Sequence, residues 1–179
     1  MNRRELIDRI NDGYVPDYLF FWGHTPTPGH SVGTWVLSQW FPVEFTVDGQ
    51  RYRHAEQFMM AEKARMFDDP EMLRRILDSV DPADAKKLGR AVRGFDQDTW
   101  EAKRYDVVVR ASVAKFGQNS ALREFLLATG EKVLVEAAPR DVVWGIGLGR
   151  DNPRAQDPAQ WRGRNLLGFA LMDARTEVA

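Results

Sequence analysis

The chain has 179 residues, with 25 Lys and Arg against 26 Asp and Glu, and no cysteine. That length buries a substantial core without covalent staples, and the missing cysteine excludes disulfides, thiol nucleophiles and thiolate-bound metals. A formal net charge of -1 excludes a global basic field of the kind that drives bulk nucleic-acid binding.

The N-terminus reads as an amphipathic helix over residues 3 to 11 with Leu6, Ile7 and Ile10 inward, within an N-terminal extension of residues 1 to 17. It has no apolar signal-peptide core, and no run approaches the length of a membrane span. The expectation is a cytoplasmic protein without a membrane partner. Tyr18 to Trp22 reads as a buried strand, and the early aromatics, Trp22 and Trp40 among them, suit either core or a pocket that stacks a planar ligand. Residues 23 to 33, carrying Pro26, Pro28 and Gly29, form a loop of the length that often lines a functional site.

Thr46 to Ala64 predicts a hairpin turning at Asp48-Gly49, then a helix with Glu56 in its first turn. Helical spacing puts Glu56, Met60 and Lys63 on one stripe. A first-turn carboxylate is ordinary, since the positive end of the helix favours it. Asp69-Pro70 and Asp81-Pro82 open helices near 70 to 79 and 82 to 92. Asp98-Thr-Trp-Glu101 reads as a capping box with Asp98 as the cap, opening a helix through Ala114 that Gly117 stops. Asn119 caps the next helix, which ends at Gly130. A strand over 132 to 137, a polar loop over 150 to 164 and a last helix near 165 to 176 complete the chain. The sum is a mainly α fold, α+β only by a few short strands, as one domain over residues 1 to 179.

Some patterns exclude chemistry. Gly145-Ile-Gly-Leu-Gly149 lacks the dinucleotide fingerprint's spacing and the P-loop lysine, and reads as a turn. Trp144 beside it is an indole next to unhindered backbone N–H groups, which suits a base or a sugar phosphate. His24, His30 and His54 have no metal-ligand spacing and read as unrelated surface or loop residues; neither a metal nor a cofactor is expected. No Gly-x-Ser-x-Gly elbow supports serine-hydrolase chemistry. Lys86 and Arg90, four apart on one helix face, read either as a solvated basic stripe or as a clamp for a phosphate.

Taken in order, His54-Ala-Glu-Gln-Phe-Met-Met-Ala-Glu-Lys-Ala64, Ala85-Lys-Lys-Leu-Gly-Arg90, Lys115-Phe-Gly-Gln-Asn119, Asp141-Val-Val-Trp-Gly145 and Gly163-Arg-Asn-Leu-Leu-Gly168 resemble the NADAR, or YbiA-like, family. The resemblance spans nearly everything after residue 18. It implies a compact, mainly helical fold and action on N-glycosidic linkages to ribose. It also places the family's acidic residue on Glu56, its lysine on Lys86 with Arg90, its tryptophan on Trp144 and its asparagine on Asn165. Three departures stand out: Gln57 where His is common, Ser38-Gln39-Trp40 where Ser-Asn-Phe is common, and Ile146 where an acid often follows Trp-Gly.

On this resemblance Glu56 and Lys86 are the expected catalytic residues, with Glu56 activating water or stabilising an oxocarbenium-like ribose. Lys86 and Arg90 hold phosphate, Trp144 stacks the base and Asn165 orients sugar hydroxyls. Trp22, Gln39, Lys63, Asp141 and Gly145 complete the expected substrate-binding set. The expected substrate is a small ribosyl phosphate, such as a phosphorylated ribosylaminopyrimidine of riboflavin biosynthesis. An ADP-ribosyl group on a guanine of nucleic acid, or an ADP-ribose or nucleotide bound without turnover, are the alternatives.

Overall fold

Asn2 and Glu5 cap each other's backbone N–H groups, at 3.1 and 3.0 Å, and so start α1 (Arg3–Asn11). That satisfies donors a helix start leaves without partners. The computed structural model describes residues 1–179, which form two units: residues 1–38 with 121–179, and residues 39–120.

In the first unit, β1 (Tyr18–Phe21) pairs in parallel with β4 (Val133–Glu136), from Tyr18 opposite Val133 to Phe21 opposite Glu136. Val133, Leu134 and Val135 are buried on both faces, the apolar run that a covered parallel strand needs. α6 (Ser120–Ala128) precedes β4, and α7 (Leu166–Glu177) packs on it. A Cβ on Gly168 would lie 2.0 Å from the Leu134 carbonyl oxygen, so only glycine lets α7 come this close. Two corrections fall here. The strand ends at Phe21, and Trp22, expected inside it, is 68% exposed. The expected polar loop over 150 to 164 contains two 3-10 turns, Pro153–Gln156 and Pro158–Gln160.

In the second unit, Asp48 and Gly49 take φ values of 50° and 78°, the pair of left-handed residues a two-residue hairpin turn requires. They join β2 (Phe45–Val47) to β3 (Gln50–Tyr52). α2 (Ala55–Met66) follows, with α3 (Pro70–Asp78), α4 (Pro82–Arg90) and α5 (Gln97–Gly117) all packed against it. Having neighbours on so many sides, α2 buries residues all round, Glu56, Gln57 and Lys63 included. Asp69 and Asp81 cap α3 and α4, each with proline as the first helical residue. The long helix starts earlier than the capping-box pattern indicates. Asp96 is its cap, accepting from the Thr99 N–H at 2.8 Å, and Asp98 lies in the first turn.

The architecture is thus mainly helical, with seven α-helices and two short two-stranded sheets. No helix is long and apolar enough to cross a membrane.

Candidate active site

α2 begins at a buried cap. His54, 1% exposed, accepts the Gln57 N–H on Nδ1 at 3.0 Å. Burial pushes its pKa down to about 4, so the ring stays neutral and able to accept. The sequence reading of His54 as a surface or loop histidine is corrected: a histidine does here what Ser or Asp does at most helix starts. Gln57 is equally engaged. Its Oε1 accepts the Arg53 N–H at 2.8 Å, and its Nε2 donates to the Ile76, Leu77 and Ser79 carbonyls. That network ties the end of α3 to the start of α2.

With the cap rigid, Glu56 is fixed in the first turn, 3% exposed. Its backbone N–H donates to the Gln39 carbonyl at 3.1 Å, and its Oε2 accepts from the Trp40 indole N–H at 3.2 Å. Lys86 places its ammonium 5.7 Å from the centroid of the same indole. Trp40 therefore holds a carboxylate at its edge and a cation at its face. Sequence reasoning offered Trp40 only as core or as a stacking wall, with no hydrogen-bonding role. The signal was the departure at Ser38-Gln39-Trp40, because an indole brings an N–H donor that phenylalanine lacks.

Gln39 is also buried, at 7% exposed. Its amide nitrogen lies 3.9 Å from the Met59 sulfur, and its Oε1 has no hydrogen-bond partner. A buried acceptor left open costs about 1–3 kcal/mol, which a ligand hydroxyl can recover.

Between Glu56 and Lys63 on the α2 stripe lies Met60, and Gly89 of α4 rests on it. A Cβ there would stand 1.9 Å from the Met60 sulfur. Lys86 and Arg90 flank this crossing, three residues before and one after Gly89. Lys63 is 9% exposed, with its ammonium 4.0 Å from the Phe95 ring centroid and 5.8 Å from that of Trp100. Burial first, and the charge of Arg90 second, lower its pKa.

Lys115, in α5, is a further cation that sequence reasoning missed. It is 1% exposed, 5.7 Å from the Phe41 ring centroid and 5.1 Å from that of Phe116. Burial alone brings its pKa down to about 7. It appears in the sequence as an unremarkable helix lysine, and only tertiary packing reveals it. No three His, Asp or Glu side chains gather to hold a metal ion.

The remaining expected site residues belong to the first unit. Asp141 accepts the Val143 and Trp144 N–H groups at 2.9 and 2.7 Å, an Asx-type turn that fixes the half-buried Trp144. Gly145 is buried where a Cβ would lie 2.8 Å from the Glu136 carbonyl oxygen, and its own carbonyl accepts the Asn165 N–H at 3.1 Å. Asn165 is wholly buried at φ 56°. Its Oδ1 accepts the Glu136 N–H and its Nδ2 donates to the Leu134 carbonyl, both at 2.9 Å, so the amide is spent on β4. Gly163 explains the start of the same motif, because a Cβ there would lie 2.1 Å from the Gly145 carbonyl oxygen. The structure thus groups Gln39, Glu56, Lys63, Lys86 and Arg90 in one unit, and Trp22, Asp141, Trp144, Gly145 and Asn165 in the other.

Comparison with known proteins bears on this arrangement. Residues 20–179 match the family model of the NADAR domain. An N-glycosidase of Acanthamoeba polyphaga mimivirus is 39% identical over 165 residues, covering 89% of this chain and 95% of that protein. A riboflavin biosynthesis protein of Vibrio vulnificus is 32% identical over 142 residues, 79% of this chain but 35% of that longer protein. The NMR structure of the Escherichia coli protein YbiA superposes with a TM-score of 0.71 at 27% identity, covering 92% of this chain and 86% of YbiA.

Proposed function

Because the chain belongs to the NADAR domain family, we propose that it hydrolyses the N-glycosidic bond of a phosphorylated riboside, with Glu56 acting at the anomeric carbon. It is a hydrolase of N-glycosyl compounds, in line with the mimiviral N-glycosidase that it resembles along nearly its whole length. The finer substrate we propose is a ribosylaminopyrimidine phosphate, a reading supported by the relative named for riboflavin biosynthesis.

One observation carries the chemistry: a buried carboxylate and a cation share one indole, Glu56 at the Trp40 N–H and Lys86 over its face. As the C1′–N bond breaks, positive charge grows on the ribose, and an adjacent buried carboxylate stabilises it more strongly than water does. Glu56 then takes a proton from the attacking water, whose oxygen bonds to C1′. Lys86 gives a proton to the departing nitrogen. The Trp40 N–H donor keeps the Glu56 carboxylate aimed. Gln39, with its open buried acceptor, is our choice to orient a ribose hydroxyl. Asn165, with both amide atoms bonded to β4, is assigned a structural role in its own unit and none at the sugar.

The test is incubation with a ribosylaminopyrimidine phosphate and, separately, with ADP-ribosylated guanine, followed by chromatography for released ribose phosphate or ADP-ribose. Release from the first supports the reading, and release from the second alone moves the substrate to the ADP-ribosyl class. Binding without any release overturns the enzymatic reading. Glu56→Gln, which keeps the Trp40 hydrogen bond but removes the charge, should lose on the order of a hundredfold or more in turnover. Unchanged turnover in that variant would remove Glu56 from the mechanism.

A further inference from the structure

Lys63 stands seven residues beyond Glu56 on the same face of α2, two turns or about 10 Å along the axis. Its ammonium has no hydrogen bond and no carboxylate partner. What surrounds it are the ring faces of Phe95 and Trp100, and the second cation beside it is Arg90. Lys63 is 9% exposed, and holding its unpaired ammonium, largely withdrawn from water, next to another positive charge is a cost that a bound anion would offset. The ring faces recover only part of it. Phe95 is 41% exposed and Arg90 lies at the surface, so the cluster opens to solvent.

The two ends of the α2 stripe are therefore differently equipped. On one side of the Met60–Gly89 crossing, Lys86 joins Trp40 and Glu56. On the other, Arg90 joins Lys63. The Lys-x-Leu-Gly-Arg motif divides its two cations between two jobs.

We propose that Lys63 and Arg90 form an anion subsite that receives the phosphate of the substrate, and that Phe95 and Trp100 hold the Lys63 ammonium in place while the subsite is empty. The placement rests on the reading of Glu56 as the carboxylate at the sugar. A spacing of about two helical turns leaves room for a ribose between the reacting carbon and its phosphate. Arg90 supplies a fork for two phosphate oxygens and Lys63 a point charge. The same chemistry serves a 5′-phosphomonoester or the diphosphate of an ADP-ribosyl group.

Calorimetric titration of the full chain with ribose 5-phosphate, ADP-ribose and inorganic phosphate tests this without turnover. Wild type should bind at least one of the two sugar phosphates. Lys63→Met, which keeps the apolar stem, and Arg90→Gln should each weaken that binding by about tenfold or more, the loss expected for a charge-assisted contact. Tighter binding of ribose 5-phosphate assigns the subsite to a phosphomonoester, and tighter binding of ADP-ribose assigns it to a diphosphate. Lys63→Met should unfold at the same urea concentration as wild type or a higher one, since it removes a buried charge, which separates lost binding from lost fold. Undiminished binding in both variants, or no binding by wild type, overturns the subsite. A variant set in which Glu56→Gln keeps turnover while Lys63→Met loses binding would reject the catalytic reading and leave the subsite standing.

Discussion

Asn165 and Glu56 are both buried polar residues on family motifs, yet their surroundings give them opposite work. Asn165 closes both amide atoms on the β4 backbone, from a left-handed conformation that asparagine tolerates better than most residues. Asn165→Ala would orphan the Leu134 carbonyl and the Glu136 N–H and strain the backbone, at about 3 kcal/mol or more. A urea unfolding curve for this variant should shift far below wild type, whereas Glu56→Gln should unfold near the wild-type midpoint and lose turnover. The sequence located the Gly163-to-Gly168 motif but not the direction of its amide. Side-chain direction depends on what packs opposite, and here that is a strand some 30 residues earlier, Leu134 to Glu136.

The helix pair α2 and α4 shows what a single missing Cβ does at the level of elements. Gly89 costs α4 helix propensity, roughly 1 kcal/mol against alanine. It is kept at the point where any Cβ would strike Met60. Gly89→Ala should be net destabilising by about 1–2 kcal/mol despite the better propensity, and it should push Lys86 and Arg90 off their stations. Combining it with Met60→Ala should recover part of the loss, a coupling of about 1 kcal/mol in a double-mutant cycle. Independent costs would mean that the two residues do not oppose each other. The starts of α3 and α4 were legible from Asp-Pro pairs and the β2–β3 hairpin from Asp48-Gly49, because those signals are local. The α5 start was misplaced by two residues because Asp96 and Asp98 are both competent caps. The parallel pairing of β1 with β4 had no local signal, since nothing in either short run names its partner.

Across the whole molecule, the buried titrating groups set a stability profile. Lys115 has a pKa of about 7 in the fold against about 10.5 when exposed, so the unfolded chain binds more protons between those values. Stability should therefore rise with pH from about 7 toward 10, and Lys115→Met should flatten that rise in urea titrations. His54, held at about 4 against about 6.5, acts in the same sense in acid, where stability falls as pH drops through that window. His54→Asn, which retains a cap acceptor, should lessen the acid loss. A profile unchanged by both variants would show that neither group is buried as described. The division into units has a consequence for the nascent chain. Residues 39–120 are continuous and can complete their contacts as they leave the ribosome. β1 emerges before them but pairs only with β4, which is made after them. During that interval the Tyr18-to-Phe21 edge waits with its hydrogen bonds unmade, and translation speed through residues 39–120 sets how long it is open to a wrong partner.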